Sequence, residues 1–343
     1  MVSAAPIKLK QLAHQLGLSC STVSRALHDS YEISLATRER VKQLAREVNY
    51  QPNPIASNLR SHVSKTIGVV LPQVDNHFFA SAINGIEEVA QAHGYHVLIY
   101  LTHDRAEQEK TVASFLGQGR VDGILVALAS ATRSVGHFDK LRQQGLPIVQ
   151  FDRVNRLLDT ATVTTDDYAS AYQATEHLLR AGCRAIAHLH LTENLSISRR
   201  RLQGYQAALR DHGLAFDPEL VLGAGNSNED NIGRIAQLLQ QRPDTDGIFA
   251  SVERLALSSY HACRRLGLSI PQTIKIIGFS NMETASLLAP GLTTITQPAY
   301  AIGKEAARIL LQALTKRRPV AVSQSLELKS ELVVRGSTSG TQP

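Results

Sequence analysis

The sequence predicts a small all-α helix-turn-helix head, joined by a hinge helix to an α/β body of two doubly wound parallel-sheet subdomains. Two observations support this fold class. The first 50 residues carry apolar side chains at helical spacing, whereas the chain from residue 66 onward alternates apolar strands with amphipathic helices in two successive series. Such alternation is typical of parallel sheets with helices on both faces.

Three helices are predicted in the head, residues 1–52. In each, apolar residues recur every three or four positions: Leu9, Leu12, Ala13 and Leu16; Val23, Ala26 and Leu27; Val41, Leu44, Ala45 and Val48. Gly17 ends the first helix, and Ser34 is a suitable N-cap for the third. A helix, a tight turn, a second helix and a third packing helix make up the helix-turn-helix arrangement.

A hinge helix is predicted in residues 53–65, which connect the head to the body. Asn53 is a good N-cap and Pro54 suits the first helical position, so a helix of about two turns can extend to Arg60. Isolated helices shorter than about 12 residues are marginal in water. We therefore expect this segment to fold only when a partner packs against it.

The body, residues 66–340, contains two series of predicted strands. They read TIGVVLP, YHVLIYL, DGILVAL and PIVQFD in the first series, and AIAHLHL, LVLGAG, DGIFAS and IKIIGFS in the second. The remaining C-terminal residues are expected to complete both sheets. This gives a first subdomain of 66–163 with 293–322, and a second of 164–292 with 323–340.

Composition limits the class of protein and of partner. A chain of 343 residues with 43% hydrophobic residues is too long for one typical core. Residues 1–62 hold eight Lys and Arg against four Asp and Glu, which favours a polyanionic partner for the head. The three cysteines form no CxxC pair, and neither a signal peptide nor a membrane-spanning run is evident. These features predict a cytoplasmic protein with no membrane partner.

A ligand cleft is predicted from the strand ends. In open parallel sheets, ligands bind beyond the carboxyl ends of the strands. There the body offers an aromatic ring (Phe78 or Phe79), a carboxylate (Asp152) and an arginine (Arg201). The charged groups form paired hydrogen bonds and an aromatic face covers the C–H side of a sugar ring, so a small polyhydroxyl ligand fits.

Other chemistry has weaker support. Asp166 and Asp167 directly precede a helix and are expected to be caps rather than paired catalytic carboxylates. His188 and His190 alternate on a strand without a third metal ligand nearby. GAGNSN, residues 223–228, lacks the third glycine of a dinucleotide fingerprint. No cofactor is therefore expected.

Several motifs in order identify a family resemblance. KLKQLAHQLGLSCSTVSRALHDSYEISLATRERVKQLAREVNYQPNPIASNLRS resembles the head and hinge of LacI/GalR-type transcriptional regulators. The resemblance continues through TIGVVLPQVDNHFF, VDGILVAL, GLPIVQFDR, ATEHLLRAGCRAIAHL, IPQTIKIIGFS, LTTITQP and ELVVRGS, and so covers nearly the whole chain. It implies a periplasmic-binding-protein-like body and a nucleoid-associated homodimer that binds a pseudo-palindromic DNA operator and responds to a small effector.

The resemblance also assigns DNA contacts. It places Cys20, Ser21 and Arg25 at base-reading positions, with Arg25 able to bond guanine O6 and N7 together. Leu59 matches a leucine that wedges into the minor groove. The predicted DNA-binding residues are Cys20, Ser21, Thr22, Ser24 and Arg25 in the recognition helix, and Asn53, Ala56 and Leu59 in the hinge.

The effector residues follow partly from the strand ends and partly from the resemblance. The predicted set is Asn76, Phe78, Phe79, Asp152, Ile197, Arg201, Ser280, Asn281 and Gln297. Three departures from the family pattern stand out: Val252-Glu253 replaces a frequent Asn-Asp pair, Ser280-Asn281 replaces paired aspartates, and His77 replaces a frequent proline. We expect a sugar or sugar derivative as the effector, with a nucleobase as the second choice.

Three functional classes compete at this point. A ligand-responsive DNA-binding repressor accounts for the head, the hinge and the cleft together. A solute-binding protein accounts only for the body and should carry an export signal. An enzyme would need a catalytic pair, for which Asp152 and Glu253 are the only suggestion. Because VVRGSTSGTQP contains no leucine heptads, a dimer is expected rather than a zipper-held tetramer.

Overall fold

Two compact units make up the chain: the head, Met1–Ser64, and the body, Lys65–Pro343. The computed structural model describes residues 7–50, 63–225 and 227–339. The predicted hinge contacts Asn53, Ala56 and Leu59 lie outside the described residues.

The head contains three helices, α1 (Leu9–Leu16), α2 (Cys20–Leu27) and α3 (Leu35–Glu47). Gly17 adopts the left-handed conformation at φ +64° and ends α1, as its sequence position predicts. Ser19 caps the next helix by accepting a hydrogen bond from the Thr22 amide, and Ser34 caps the third. The three helices enclose a small core of fully or almost fully buried residues: Leu12, Ala13, Leu16, Val23, Ala26, Val41 and Ala45.

The body alternates strands and helices along its whole length. Its strands are β1 (Thr66–Leu71), β2 (His96–Leu101), β3 (Gly123–Val126), β4 (Ile148–Phe151), β5 (Thr162–Thr165), β6 (Ile186–His190), β7 (Val221–Gly223), β8 (Gly247–Ala250), β9 (Lys275–Phe279), β10 (Thr293–Thr296), β11 (Leu326–Leu328) and β12 (Glu331–Val333). Its helices are α4 (His77–Ala92), α5 (Ala106–Leu116), α6 (Gly136–Gln143), α7 (Asp167–Arg180), α8 (Ser196–Asp211), α9 (Asn228–Gln241), α10 (Glu253–Leu266) and α11 (Ala299–Lys316). None of these described helices is both long and apolar enough to cross a bilayer.

Two six-stranded sheets organise these strands into two subdomains. The first sheet has the order β11-β5-β4-β3-β1-β2 and is parallel throughout. The second has the order β12-β10-β9-β8-β6-β7 and is parallel except for the antiparallel pair of β10 and β12. The predicted fold class of two parallel-sheet subdomains is therefore confirmed.

The C-terminal crossovers differ from the sequence expectation. The expectation placed residues 293–322 with the first subdomain, but β10 pairs with β9 in the second sheet. It placed residues 323–340 with the second, but β11 pairs with β5 in the first. β5 itself was not predicted, because its TVTT sequence is too short and too polar to stand out. Strands of three or four residues acquire their place from the neighbours with which they form hydrogen bonds.

Two helix pairs approach closely at glycines. In the first subdomain α4 and α11 cross so tightly that a Cβ at Gly303 would overlap the Ala82 carbonyl oxygen. In the second, a Cβ at Gly204 of α8 would overlap the Tyr168 carbonyl oxygen of α7. The close contact of α7 with α8 also brings together Asp167 and Arg201, near the starts of the two helices.

Candidate DNA-reading helix and ligand cleft

The exposed face of α2 carries the predicted base-reading residues. Val23 and Ala26 point into the core of the head, whereas Cys20, Ser21 and Arg25 are exposed and Thr22 and Ser24 are half-buried. The Ser19 hydroxyl lies 2.7 Å from that of Ser21 and 2.8 Å from that of Thr22, at the start of the helix. All five predicted contacts on α2 therefore lie on or beside one solvent-facing surface.

Arg25 has an internal partner that sequence reasoning missed. Its guanidinium Nη1 lies 2.9 Å from the Glu32 carboxylate, and both side chains are about half exposed. An exposed ion pair of this kind is worth about 1 kcal/mol or less. Glu32 therefore holds the Arg25 fork weakly and competes for it with any other hydrogen-bond acceptor.

The nine predicted effector residues all line one cleft between the two subdomains. They come from the start of α4, the ends of β4, β9 and β10, and the first turns of α8: Asn76, Phe78, Phe79, Asp152, Ile197, Arg201, Ser280, Asn281 and Gln297. Four further lining residues were not in the predicted set: Arg153, Val252, Glu253 and Phe279. Phe279 is the last residue of β9, so the strand-end rule that selected Ser280 also points to it.

The cleft is narrow, with a cavity of about 30 Å³. Small-molecule sites typically measure about 300 to 1,000 Å³. A ligand the size of a sugar therefore requires the two subdomains to separate along the cleft.

A buried ion pair forms one wall of the cleft. Arg201 Nη2 lies 2.7 Å from the Asp167 carboxylate and its Nε donates to the same oxygen at 2.8 Å. The guanidinium also donates to the Ser251 carbonyl oxygen and lies 3.7 Å from the centre of the Phe279 ring. Burial raises the pKa of Asp167 to about 6, and Arg201 opposes this shift, so the carboxylate is mostly ionised at neutral pH.

The Asp167 contact corrects an expectation from the sequence. Asp166 and Asp167 were expected to cap α7, but Asp166 at the N-cap position makes no side-chain cap bond. Its carboxylate accepts from the Ser170 hydroxyl and the Ser330 amide instead. Asp167 is a structural partner of Arg201, which becomes visible only once α7 and α8 are packed together.

Asp152 is the second buried carboxylate of the cleft. Its side chain is 8% exposed and lies 3.9 Å from Nε of Arg153. Burial raises the pKa of Asp152, while Arg153 and Arg201 act in the opposite direction. Arg153 is in turn held by Asp104, 2.9 Å away. The cleft therefore offers a buried hydrogen-bond acceptor whose charge is favoured by two nearby cations.

A third carboxylate connects the two subdomains. Glu253, at the start of α10, contacts His77 Nδ1 of α4 at 2.7 Å and accepts from the Ser280 hydroxyl at 2.6 Å. Asn281 donates to the Gln297 carbonyl oxygen at 2.6 Å. The His77–Glu253 contact joins the first subdomain to the second, so separation of the subdomains must break it.

The phenylalanines form the apolar side of the cleft. Phe78 and Phe79 pack edge to face with ring centres 5.3 Å apart, and Phe79 makes a similar contact with Phe151. The Asn76 side chain caps α4 by accepting from the Phe79 amide at 2.9 Å. Its side-chain carbonyl oxygen is thus occupied by the helix cap.

The two strand histidines lie among aromatic side chains. His188 is fully buried, stacks against His190 and Tyr205 at ring-centre distances of 6.0 and 5.1 Å, and makes a tilted contact with Phe249 at 4.9 Å. No group of three or more metal-ligating side chains is present within residues 7–50, 63–225 and 227–339. His188 therefore acts as an aromatic core residue.

Family models match both units of the chain. The model described as "Bacterial regulatory proteins, lacI family" matches residues 8–53, and "Periplasmic binding proteins and sugar binding domain of LacI family" matches residues 64–329. The HTH-type transcriptional repressor CytR of Escherichia coli strain K12 is 34% identical over 330 residues, which is 96% of each chain.

Solved structures share the fold. A transcriptional regulator CelR–cellobiose complex matches with a TM-score of 0.73 at 26% identity, covering 96% of this chain and 99% of that one. The lac repressor dimer bound to operator and an anti-inducer matches with a TM-score of 0.83, covering 97% and 99% of the two chains. At 23% identity this second match supports the fold alone.

Proposed function

Because the chain belongs to the LacI family of DNA-binding transcriptional regulators, we propose that it is a repressor that binds a pseudo-palindromic operator as a homodimer. Its operator affinity is set by a small ligand, a sugar or sugar derivative, bound in the cleft. Members of this family are regulators and not enzymes. A protein with this role acts in the cytoplasm, where the nucleoid is.

The recognition helix supplies sequence readout. α2 enters the major groove with Arg25 bonded to a guanine, while the hydroxyls of Ser21, Thr22 and Ser24 bond bases or phosphates. Cys20 is a weak hydrogen-bond donor and contacts a thymine methyl group. The observation that supports this role is the polar, exposed face of α2 above a closed apolar core.

The hinge couples ligand to DNA. In the proposed coupling, Asn53, Ala56 and Leu59 contact the minor groove, with Leu59 as the wedge. The sequence predicts a helix of about two turns for this segment, too short to be stable in water without a partner. Any movement that separates the two hinge segments removes this partner, so ligand binding in the body changes operator affinity.

An edge strand supports the homodimer. β2 is the last strand of the first sheet, and its Leu98 and Ile99 are 41% and 44% exposed. Adjacent residues of a strand point to opposite faces, so apolar groups are exposed on both sides of this edge. A twofold contact along β2 covers them, and Ile99→Lys should convert the dimer into monomers in light-scattering measurements.

The cleft chemistry supports a sugar. Asp152 and Arg201 supply fixed acceptors and donors for hydroxyl groups, and Phe78 supplies an apolar face. The CelR relative was solved with cellobiose, a sugar. Thermal-shift screening of the purified protein against sugars, sugar phosphates and nucleobases tests this assignment directly. Hits should then alter the affinity for the operator.

The operator is tested separately. Selection of duplexes from a random library with the full-length protein should return two inverted half-sites, and binding to them should weaken steeply with salt. If the protein binds the selected duplexes no more tightly than bulk DNA, the proposed role as a sequence-specific regulator is wrong. If only nucleobases raise the melting temperature in the thermal-shift screen, the assignment of a sugar as the ligand is wrong.

A further inference from the structure

A second cavity lies beside the cleft, on the far side of the Arg201–Asp167 ion pair. Asp167 lines this outer cavity while Arg201 lines the cleft, so the pair forms part of the wall between them. The outer cavity measures about 610 Å³, a volume typical of small-molecule sites. Its walls come from the loop after β4, from β5 and β11, and from the first turns of α7 and α8. Both subdomains therefore contribute to it.

The outer cavity carries an excess of positive charge. Its charged lining residues are Asp167, Glu327, Arg156, Arg199 and Arg200. Arg201 neutralises Asp167, and Arg200 lies 2.8 Å from Glu327. Arg156 and Arg199 have no carboxylate partner within the described part of the chain. Two uncompensated guanidinium groups favour an anionic occupant.

Arg199 is held in place at the start of α8. Its Nη1 donates to the carbonyl oxygens of Glu193 and Asn194 at 2.9 and 2.7 Å, which leaves the rest of its donor fork for another acceptor. α8 has neither an acidic residue in its first turn nor a side-chain N-cap. The positive end of this 16-residue helix thus adds to the potential of the arginines.

The remaining lining suits the neutral part of a ligand. Tyr168 is 41% exposed and offers an aromatic face. Hydroxyl and amide groups surround it: Thr162, Thr164, Ser196, Gln203 and Ser325. An aromatic face with several hydroxyl groups binds the ring of a sugar, and a guanidinium fork binds the oxygens of a phosphate in pairs.

We propose that the outer cavity is a second ligand site, which takes a sugar-sized molecule carrying a phosphate group. Arg156 and Arg199 bind the phosphate, and Tyr168 with the neighbouring hydroxyl groups binds the sugar ring. The site is distinct from the cleft, where Arg153 and Arg201 each have a carboxylate partner, Asp104 and Asp167 respectively. The proposed site does not rest on the regulatory function proposed above, because ligand binding to the outer cavity can be measured without DNA.

Isothermal titration calorimetry of the full-length protein tests the site with ribose 5-phosphate, ribose and inorganic phosphate as probes. Ribose 5-phosphate should bind more tightly than either fragment. The double variant Arg156→Ala/Arg199→Ala should weaken its binding at least tenfold. Arg210→Ala is the matched control, since this arginine lies on the same helix, is 75% exposed and should change the affinity less than twofold.

Three results overturn the proposal. One is the absence of ribose 5-phosphate binding at millimolar concentration. Another is an unchanged affinity in the double variant. The third is loss of binding in Asp152→Asn, which alters the cleft and leaves the outer cavity intact, because that result places the phosphorylated sugar in the cleft. Wild-type affinity in Asp152→Asn, together with loss in the double variant, supports the outer site.

Discussion

Replacement of His188 should remove a pH-dependent loss of stability from the body. This side chain is fully buried in β6, and both of its ring nitrogens are buried without a hydrogen-bond partner. Burial, with smaller contributions from His190 and Arg201, lowers the pKa of His188 to about 3. The imidazole is therefore neutral in the folded protein over the whole physiological range.

The magnitude follows from the two pKa values. The unfolded chain binds a proton at this histidine near pH 6.5, while the folded protein does not until about pH 3. Between these values the unfolded state holds more protons, so the stability falls as the pH falls. The loss is negligible at pH 7.5 and reaches about 2 kcal/mol at pH 5, since each pH unit below 6.5 costs about 1.36 kcal/mol.

Urea unfolding of wild type and His188→Leu at pH 7.5, 6 and 5 measures this difference. As the pH falls from 7.5 to 5, the free energy of unfolding of the variant should rise by about 2 kcal/mol relative to that of wild type. The raised pKa of Asp167 acts with the opposite sign, but it is common to both proteins and cancels in the comparison. His261→Leu, at an exposed histidine of α10, is the control. Parallel pH curves for His188→Leu and wild type would refute the reasoning.

Four further substitutions test the head, the cleft and the packing. Arg25→Ala should weaken operator binding by about 1 to 3 kcal/mol and relax the base preference at one position per half-site. Glu32→Gln should tighten operator binding up to about fivefold, because it frees Arg25 from the ion pair. Fluorescence anisotropy measures both affinities, and unchanged operator binding in Arg25→Ala contradicts its assignment as a base-reading residue. Arg201→Ala should leave operator binding intact and abolish the response to any ligand found in the cleft, so a variant that still responds shows that another residue binds it. Gly303→Ala should lower the stability by about 1 to 3 kcal/mol in thermal unfolding, because its methyl group meets the Ala82 carbonyl oxygen, and an unchanged melting temperature would show that α4 and α11 can separate.

The cleft residues were predictable from sequence because their position depends on topology. Parallel strands place all their carboxyl ends at one edge of a sheet, so residues after β9 and β10 come together in the second sheet. Residues after β4, in the first sheet, join them because the strand ends of both sheets border the same cleft. Asp152, Ser280 and Gln297 were found in this way, together with the family resemblance. The exposed face of α2 was predictable for a similar reason, since helical periodicity assigns Val23 and Ala26 to the core.

The ion pairs were not predictable, because they depend on packing between distant segments. Asp167 and Arg201 are separated by 34 residues and meet only because Gly204 allows α7 and α8 to approach closely. Glu32 contacts Arg25 from the loop after α2, where no periodicity constrains its side chain. The crossover strands β10 and β11 were assigned to the wrong subdomains because three or four residues carry too little pattern to define a pairing.

The departures from the family pattern at His77, Glu253 and Ser280 are one structural feature. One Glu253 oxygen contacts His77 and the other accepts from Ser280, so a carboxylate at the start of α10 is satisfied from both subdomains. Proline at position 77 has no side-chain nitrogen to contact Glu253. Aspartate at position 280 would repel the Glu253 carboxylate instead of donating a hydrogen bond to it. The three residues therefore form one set of contacts, in which His77 and Ser280 both bind the Glu253 carboxylate. A ligand that reaches this part of the cleft must compete with His77 and Ser280 for the carboxylate, so these three residues should be exchanged together when the ligand specificity of a relative is transferred to this chain.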